Sequence, residues 1–137
     1  MDTTNAFSKE GLLADSYVLH TVFELIRIAQ IAGFDENGKK IFIVDYHTED
    51  SVEFERYSEH SKEGTNEVKI ISELEPYTKD ALIFRKNSTS AMFAKNFIET
   101  ILKMLSLEEV VIVGWDTDIC VMNLINKILK TINKLPR

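Results

Sequence analysis

Residues 107–122, LEEVVIVGWDTDICVM, decide the fold of this 137-residue chain. Val110, Val111, Ile112 and Val113 form a short β-branched apolar run, the mark of a strand buried on both faces. Gly114 ends it. Thr117 is placed to cap a helix that has Asp118 in its first turn and continues through Val121, Met122, Ile125, Ile128, Leu129 and Ile132. Cys120, the only cysteine, therefore falls in the first turn of a helix that directly follows a buried strand. Free backbone amides and the positive end of the helix dipole favour a thiolate there. The same amides can hold a developing oxyanion. A lone cysteine is more often an inert core residue, so the nucleophile reading rests on this setting.

The rest of the chain supplies the partners of that segment. Residues 1–13 read as a loop in which Asp2, Asn5 and Phe7 lie close together. Asp15 or Ser16 caps a helix with an apolar face of Val18, Leu19, Val22, Phe23, Ile26 and Ala29, and Gly33 stops it. The turn DENGKK leads into a strand over 40–45. Residues 46–67 form a polar loop too long for a plain connector, either functional or disordered. A short helix is expected over 68–74, closed by Pro76, then an apolar run over 81–85. A second amphipathic helix, over 90–105, is expected to bury Phe93, Phe97, Ile98, Ile101 and Leu102. Strands alternating with helices predict one α/β domain over residues 1–137, Rossmann-like, in which a mainly parallel sheet lies between two helix layers.

Composition narrows the class. The chain is 45 % hydrophobic, enough for a single core, and carries sixteen basic and twenty-two acidic side chains for a net charge of -6. Nucleic acid is not an expected partner, since no basic cluster precedes the C-terminal tail. One cysteine makes no internal disulfide, the first residues are polar, and no apolar run approaches a membrane span, so a soluble cytoplasmic protein is expected. Its partner is a small molecule; a homo-oligomer is left open. In open α/β sheets ligands gather outside the carboxyl ends of the strands. Asp45 and His47 leave one strand, Lys86 leaves the next and Cys120 follows the third.

At these residues the chain resembles the isochorismatase-like cysteine hydrolases, and within them the nicotinamidases. The nucleophile segment is Gly114-Trp115-Asp116-Thr117-Asp118-Ile119-Cys120-Val121, against the family's Thr-Asp-x-Cys-Val. Asp2, Asn5 and Phe7 match an Asp-x-x-Asn-x-Phe motif, and Lys86 precedes Ser90-Ala91-Met92 at the family's spacing. The similarity runs from residue 2 to about residue 123. It implies that Asp2, Lys86 and Cys120 are catalytic, that the amides of Asp116 and Cys120 form an oxyanion hole, and that the Trp115–Asp116 peptide is cis. Phe7 and Tyr57 match aromatic positions that line the substrate pocket. The nicotinamidase branch adds a divalent metal, which Asp45, His47, Glu53 and His60 would hold, with Glu55 as an alternative to Glu53. Imidazole and carboxylate together suit zinc, with manganese or iron as alternatives. His20 reads as structural. The implied activity is hydrolysis of nicotinamide to nicotinate and ammonia, a step of NAD salvage.

Two departures from the family pattern set further expectations. The chain begins one residue before the catalytic aspartate, so the family's central first strand is absent and Asp2 is expected to lack an anchor. The family usually carries threonine where Leu124 stands, and the tail INKILKTINKLPR no longer resembles it. The chain thus reads as a family member incomplete at both ends, with Cys120 in nucleophile geometry but poor turnover. The alternatives are a non-catalytic remnant that binds a ligand or partner, and a metal-free hydrolase of the same superfamily with another substrate.

Overall fold

The computed structural model describes residues 1–34, 38–104 and 109–132. Two parallel strands form its hydrogen-bonded sheet: β1, Ile41–Asp45, and β2, Leu82–Lys86, paired from Ile41 opposite Leu82 to Asp45 opposite Lys86. The alternation of side chains along β1 divides the core. Ile43 joins Phe84, Ala91, Ala94, Phe97, Cys120, Val121 and Leu124 on one face. Phe42 packs on the other, against Ala6, Phe7, Val22, Leu25, Ile71, Leu74 and Trp115. Helix α1, Val22–Phe34, covers this second face, while α2, Phe97–Lys103, and α3, Met122–Ile132, cover the first. The expected α/β arrangement with helices on both faces of a parallel sheet is the one observed.

The third expected strand, over 109–114, is not a ladder strand among the described residues. Ile112 and Val113 still face opposite cores, but Val110 and Val111 are exposed. A strand needs a neighbour for its backbone groups, and among the described residues Met1 and Asp2 bridge this segment to β1. The Met1 amine donates to the Val113 carbonyl at 2.7 Å, Trp115 N–H to the Met1 carbonyl at 3.2 Å, and Asp2 N–H to the Ile43 carbonyl at 2.8 Å. Asp2 is therefore anchored and fully buried, contrary to the expectation from the sequence. Gly114 is required here, because a Cβ would lie 2.7 Å from the Met1 nitrogen and overlap its carbonyl oxygen.

Several helix expectations shift. Asp15 does cap, accepting from Tyr17 N–H at 2.8 Å, but the first turns, Ser16–Thr21, are 3-10 and α1 follows, running through Gly33. The tighter winding changes the phase of the apolar face, leaving Phe23 81 % exposed while Val22 and Leu25 are buried. The helix expected over 90–105 is broken: a single turn Ala91–Phe93, then Asn96 in the left-handed region at φ 63°, then α2. Phe93 is consequently exposed, as are Ile98 and Leu102, whereas Phe97 is buried. Residues 68–74 are not a helix; Ile70 bridges antiparallel to Thr4, and Ile71 N–H donates to the Thr3 carbonyl at 3.1 Å. The long loop is folded back along its own length, with His47 N–H on the Ser61 carbonyl at 2.9 Å and Glu63 N–H on the His47 carbonyl at 2.8 Å. Leu105, the start of the opening stretch at 107–108, the turn at 35–37 and the tail beyond residue 132 lie outside the described residues.

Candidate active site

At the carboxyl ends of β1 and β2 the chain buries Asp2, Asp45, His47, His60 and Lys86 together, with Glu53 and Cys120 beside them. Asp45 and Lys86 are register partners at the last rung of the sheet, so their side chains leave the same face. The Lys86 ammonium hydrogen-bonds Asp45, lies 3.2 Å from Asp2 Oδ2, and reaches Cys120 Sγ at 3.7 Å. One oxygen of each aspartate and the Cys120 sulfur fall within 4.8 Å of one another. Neither Asp2 oxygen has a hydrogen-bond partner among the described residues. Asp2 has the Lys86 ammonium as its ion-pair partner, and the other group it faces is the Cys120 thiol.

The charges explain the titration of each group. Burial pushes Asp2 up to about 6, helped by the Asp45 charge and opposed by Lys86. For Asp45, burial works in the same direction. Hydrogen bonds with His47 and His60, together with the Lys86 charge, outweigh it and hold the carboxyl well below the usual range. Burial disfavours the Lys86 ammonium, yet Asp2 and Asp45 keep it protonated above its ordinary range. Burial also pushes the Cys120 thiol up, and Asp2 pushes it further. The thiolate expected from the helix start is therefore not the resting form. The sulfur rests as a thiol beside a carboxylate that ionises near neutrality.

The turn that carries Cys120 also differs in detail. Thr117 is not the cap; Asp116 precedes the helical turn Thr117–Val121, which is widened to a π turn before α3 begins. Among the described residues there is no cis peptide, so Trp115–Asp116 is trans, and the reversal is made by Asp116 in the left-handed region at φ 52°. Among the described residues the Asp116 N–H donates to no backbone carbonyl outside the helices and strands, and Cys120 sits within the turn. Trp115 locks the turn to the N-terminal side of α1, its indole N–H donating to Thr21 Oγ at 3.0 Å.

The residues expected to hold a metal divide into three that converge and one that flanks them. Asp45, His47 and His60 each offer a donor atom within 4.8 Å of the others. His47 Nδ1 lies 2.9 Å from Asn87 Oδ1, and His60 Nδ1 lies 2.7 Å from the Ser58 carbonyl oxygen. With Nδ1 turned to these acceptors, each ring presents Nε2 to Asp45, at 3.5 Å and 3.6 Å. His47 Nε2 has no hydrogen-bond partner among the described residues. Two imidazoles and a carboxylate converging on one point fit a divalent metal, with outer partners that orient both rings. Glu53 is buried beside them with an unpartnered Oε2, while Glu55 is exposed. His20 is remote, exposed and packed edge-on against Tyr17.

A cavity of about 260 Å³ opens onto this cluster. Phe7 and Tyr57, the aromatics singled out from the sequence, line it together with Glu53, His60, Asp116 and Cys120. Leu13, Thr89 and Ile119 complete its wall and were not singled out from the sequence. Asn87 was missed as well. Its position directly after Lys86 was the available signal, since any residue past a strand end faces the site.

Comparison with known proteins agrees with this geometry. The Isochorismatase domain model matches residues 2–130. No curated protein matches the chain. Among solved structures, the chain is similar to N-carbamoylsarcosine amidase from Thermoplasma acidophilum, with 25 % identity and a TM-score of 0.82 over 95 % of this chain and 73 % of the other. It is similar to an isochorismatase-like hydrolase from Alkaliphilus metalliredigens, with 25 % identity and a TM-score of 0.81 over 95 % and 72 %. A nicotinamidase from Bacillus subtilis is 26 % identical, with a TM-score of 0.72 over 94 % of this chain and 76 % of that one.

Proposed function

The chain belongs to the isochorismatase domain family, and from that premise we propose that it is a cysteine amidohydrolase converting nicotinamide to nicotinate and ammonia. The observation that carries the reading is the Lys86 ammonium held against Asp2, Asp45 and the Cys120 sulfur at the floor of a small, partly aromatic cavity. Nicotinamidases among its structural neighbours support the choice of amide.

In this mechanism Asp2 removes the thiol proton as sulfur attacks the amide carbon. The former carbonyl oxygen carries the charge, received by the Asp116 and Cys120 amides. Asp2 returns the proton to nitrogen, ammonia leaves and a thioester remains. Water, deprotonated by Asp2, then attacks the thioester and releases the acid and the thiol. A base that rests near neutrality can both take and return the proton. Lys86 keeps Asp2 ionised in spite of its burial. Asp45, His47 and His60, with Glu53 at their side, would hold a divalent metal, zinc for preference, which supplies a Lewis-acid anchor for the pyridine nitrogen. Phe7 and Tyr57 flank the ring and exclude water.

The direct test is ammonia release from nicotinamide by the purified chain, with and without added Zn²⁺ or Mn²⁺. Turnover lost in Cys120→Ala and reduced at least tenfold in His47→Ala is expected. No ammonia under any metal condition from folded protein would remove the reading.

A further inference from the structure

Asp116 lines the cavity with Cys120 and His60, and the proposed mechanism uses only its backbone amide; the residue is half-buried, on a backbone held at φ 52°. Asp45 and Glu53 line the same cavity but belong, with His60, to the metal-holding set, whose charge a bound divalent cation would balance; among the described lining residues no lysine or arginine balances Asp116. The nearest cation, Lys86, is 1 % exposed and already engaged by Asp2 and Asp45. A site for a carboxylate-bearing substrate needs a cation or free donors at the mouth; this one presents an acid.

We propose that Asp116 is a specificity-determining residue that repels carboxylate-bearing amides and admits neutral or amine-bearing ones. The inference rests on the amidohydrolase reading and narrows its substrate class. Burial and the charges of Asp45 and Asp118 push the Asp116 carboxyl up. Two like charges about 6 Å apart oppose binding by about a hundredfold at the effective dielectric of a protein surface. Partial exposure of Asp116 screens this to about tenfold.

The test uses three amides of one shape: benzamide, 3-carbamoylbenzoate and 3-(aminomethyl)benzamide, which lack the pyridine nitrogen and differ in charge. Binding to the full chain is measured by calorimetry, alongside ammonia release. The wild type should bind the anion at least tenfold more weakly than benzamide and the cation at least as tightly. Asp116→Asn, which keeps a residue tolerant of positive φ, should raise the anion-to-neutral ratio about tenfold whatever its absolute affinities. Asp118→Asn removes an exposed charge outside the cavity and should leave that ratio within twofold. An anion bound as well as benzamide, or a ratio unchanged in Asp116→Asn, overturns the role of Asp116 and leaves the amidase reading intact. Failure of folded wild type to bind any of the three and to release ammonia from nicotinamide removes both.

Discussion

Replacing Lys86 by methionine keeps most of the side-chain volume and deletes the one buried cation between Asp2 and Asp45. Lys86 is 1 % exposed, Asp2 is fully buried, and the ammonium lies within ion-pair distance of both carboxylates. Removing one partner of such a group leaves uncompensated buried charge and costs about 3–5 kcal/mol. The loss should depend on pH in a defined direction. Asp2 is raised to about 6 by burial with Lys86 present, and losing the cation raises it further. A group whose folded pKa is raised contributes stability that is complete below its unfolded pKa and is lost as pH rises through the folded value. The variant therefore has a neutral Asp2 at pH 5.5, where its deficit should be about 1–2 kcal/mol smaller than at pH 7.5, since a tenfold change in proton affinity corresponds to about 1.4 kcal/mol. Urea unfolding of chelator-treated wild type and Lys86→Met at the two pH values reads both quantities. A deficit below about 1 kcal/mol at pH 7.5, or one that grows as pH falls, would refute the buried-triad reasoning.

Other perturbations test separate parts of the site. The pH profile of kcat/KM for nicotinamide should rise through an apparent pKa near 6, because Asp2 must be ionised to accept the thiol proton; a flat acid limb down to pH 4.5 would remove Asp2 as the base. Gly114→Ala should destabilise the chain by about 3 kcal/mol or more, since its Cβ would overlap the Met1 backbone and displace Asp2; near-normal thermal stability would mean that Met1 does not lie there. Thr21→Val should cost about 1 kcal/mol by leaving the Trp115 indole N–H unpaired, with a blue-shifted tryptophan emission as an independent sign. Asn87→Leu removes the acceptor facing His47 Nδ1 and should weaken Zn²⁺ binding about 10–100-fold, as measured by competition with a chromogenic chelator.

Local signals and long-range ones were legible in the sequence to different degrees. Strands were readable over 40–45 and 81–85, within a residue of the observed 41–45 and 82–86, because each run is largely apolar and bounded by turn chemistry. Cys120 was readable because strand, glycine and helix start stand in one short stretch. The convergence of Asp45, Lys86 and Cys120 followed from the rule that functional side chains collect at strand ends, and the resemblance supplied Asp2 and His60, which no local pattern marks. What escaped was decided by contacts distant in sequence. Residues 110–113 have the composition of a strand, but ladder formation depends on a neighbour, and among the described residues Met1 and Asp2 provide the hydrogen bonds there. Phe93 and Phe23 fit an ideal 3.6-residue period; Asn96 at positive φ and the 3-10 turns before α1 shift the phase and turn both rings outward. The resting thiol at Cys120 also lay beyond local reading, because Asp2 and burial outweigh the helix start that favours a thiolate.

The central step of the proposed mechanism is attack of the Cys120 sulfur on an amide carbon, and mass spectrometry of acid-quenched protein tests it directly. The metal-loaded chain is mixed with nicotinamide, quenched during the first turnovers and digested. The peptide containing Cys120 should carry one nicotinoyl group, sensitive to hydroxylamine as a thioester is, with ammonia released in step and no adduct in Cys120→Ala. Ammonia release that persists in Cys120→Ala, or an acyl group found on any other residue, would contradict the assignment of Cys120 as the nucleophile.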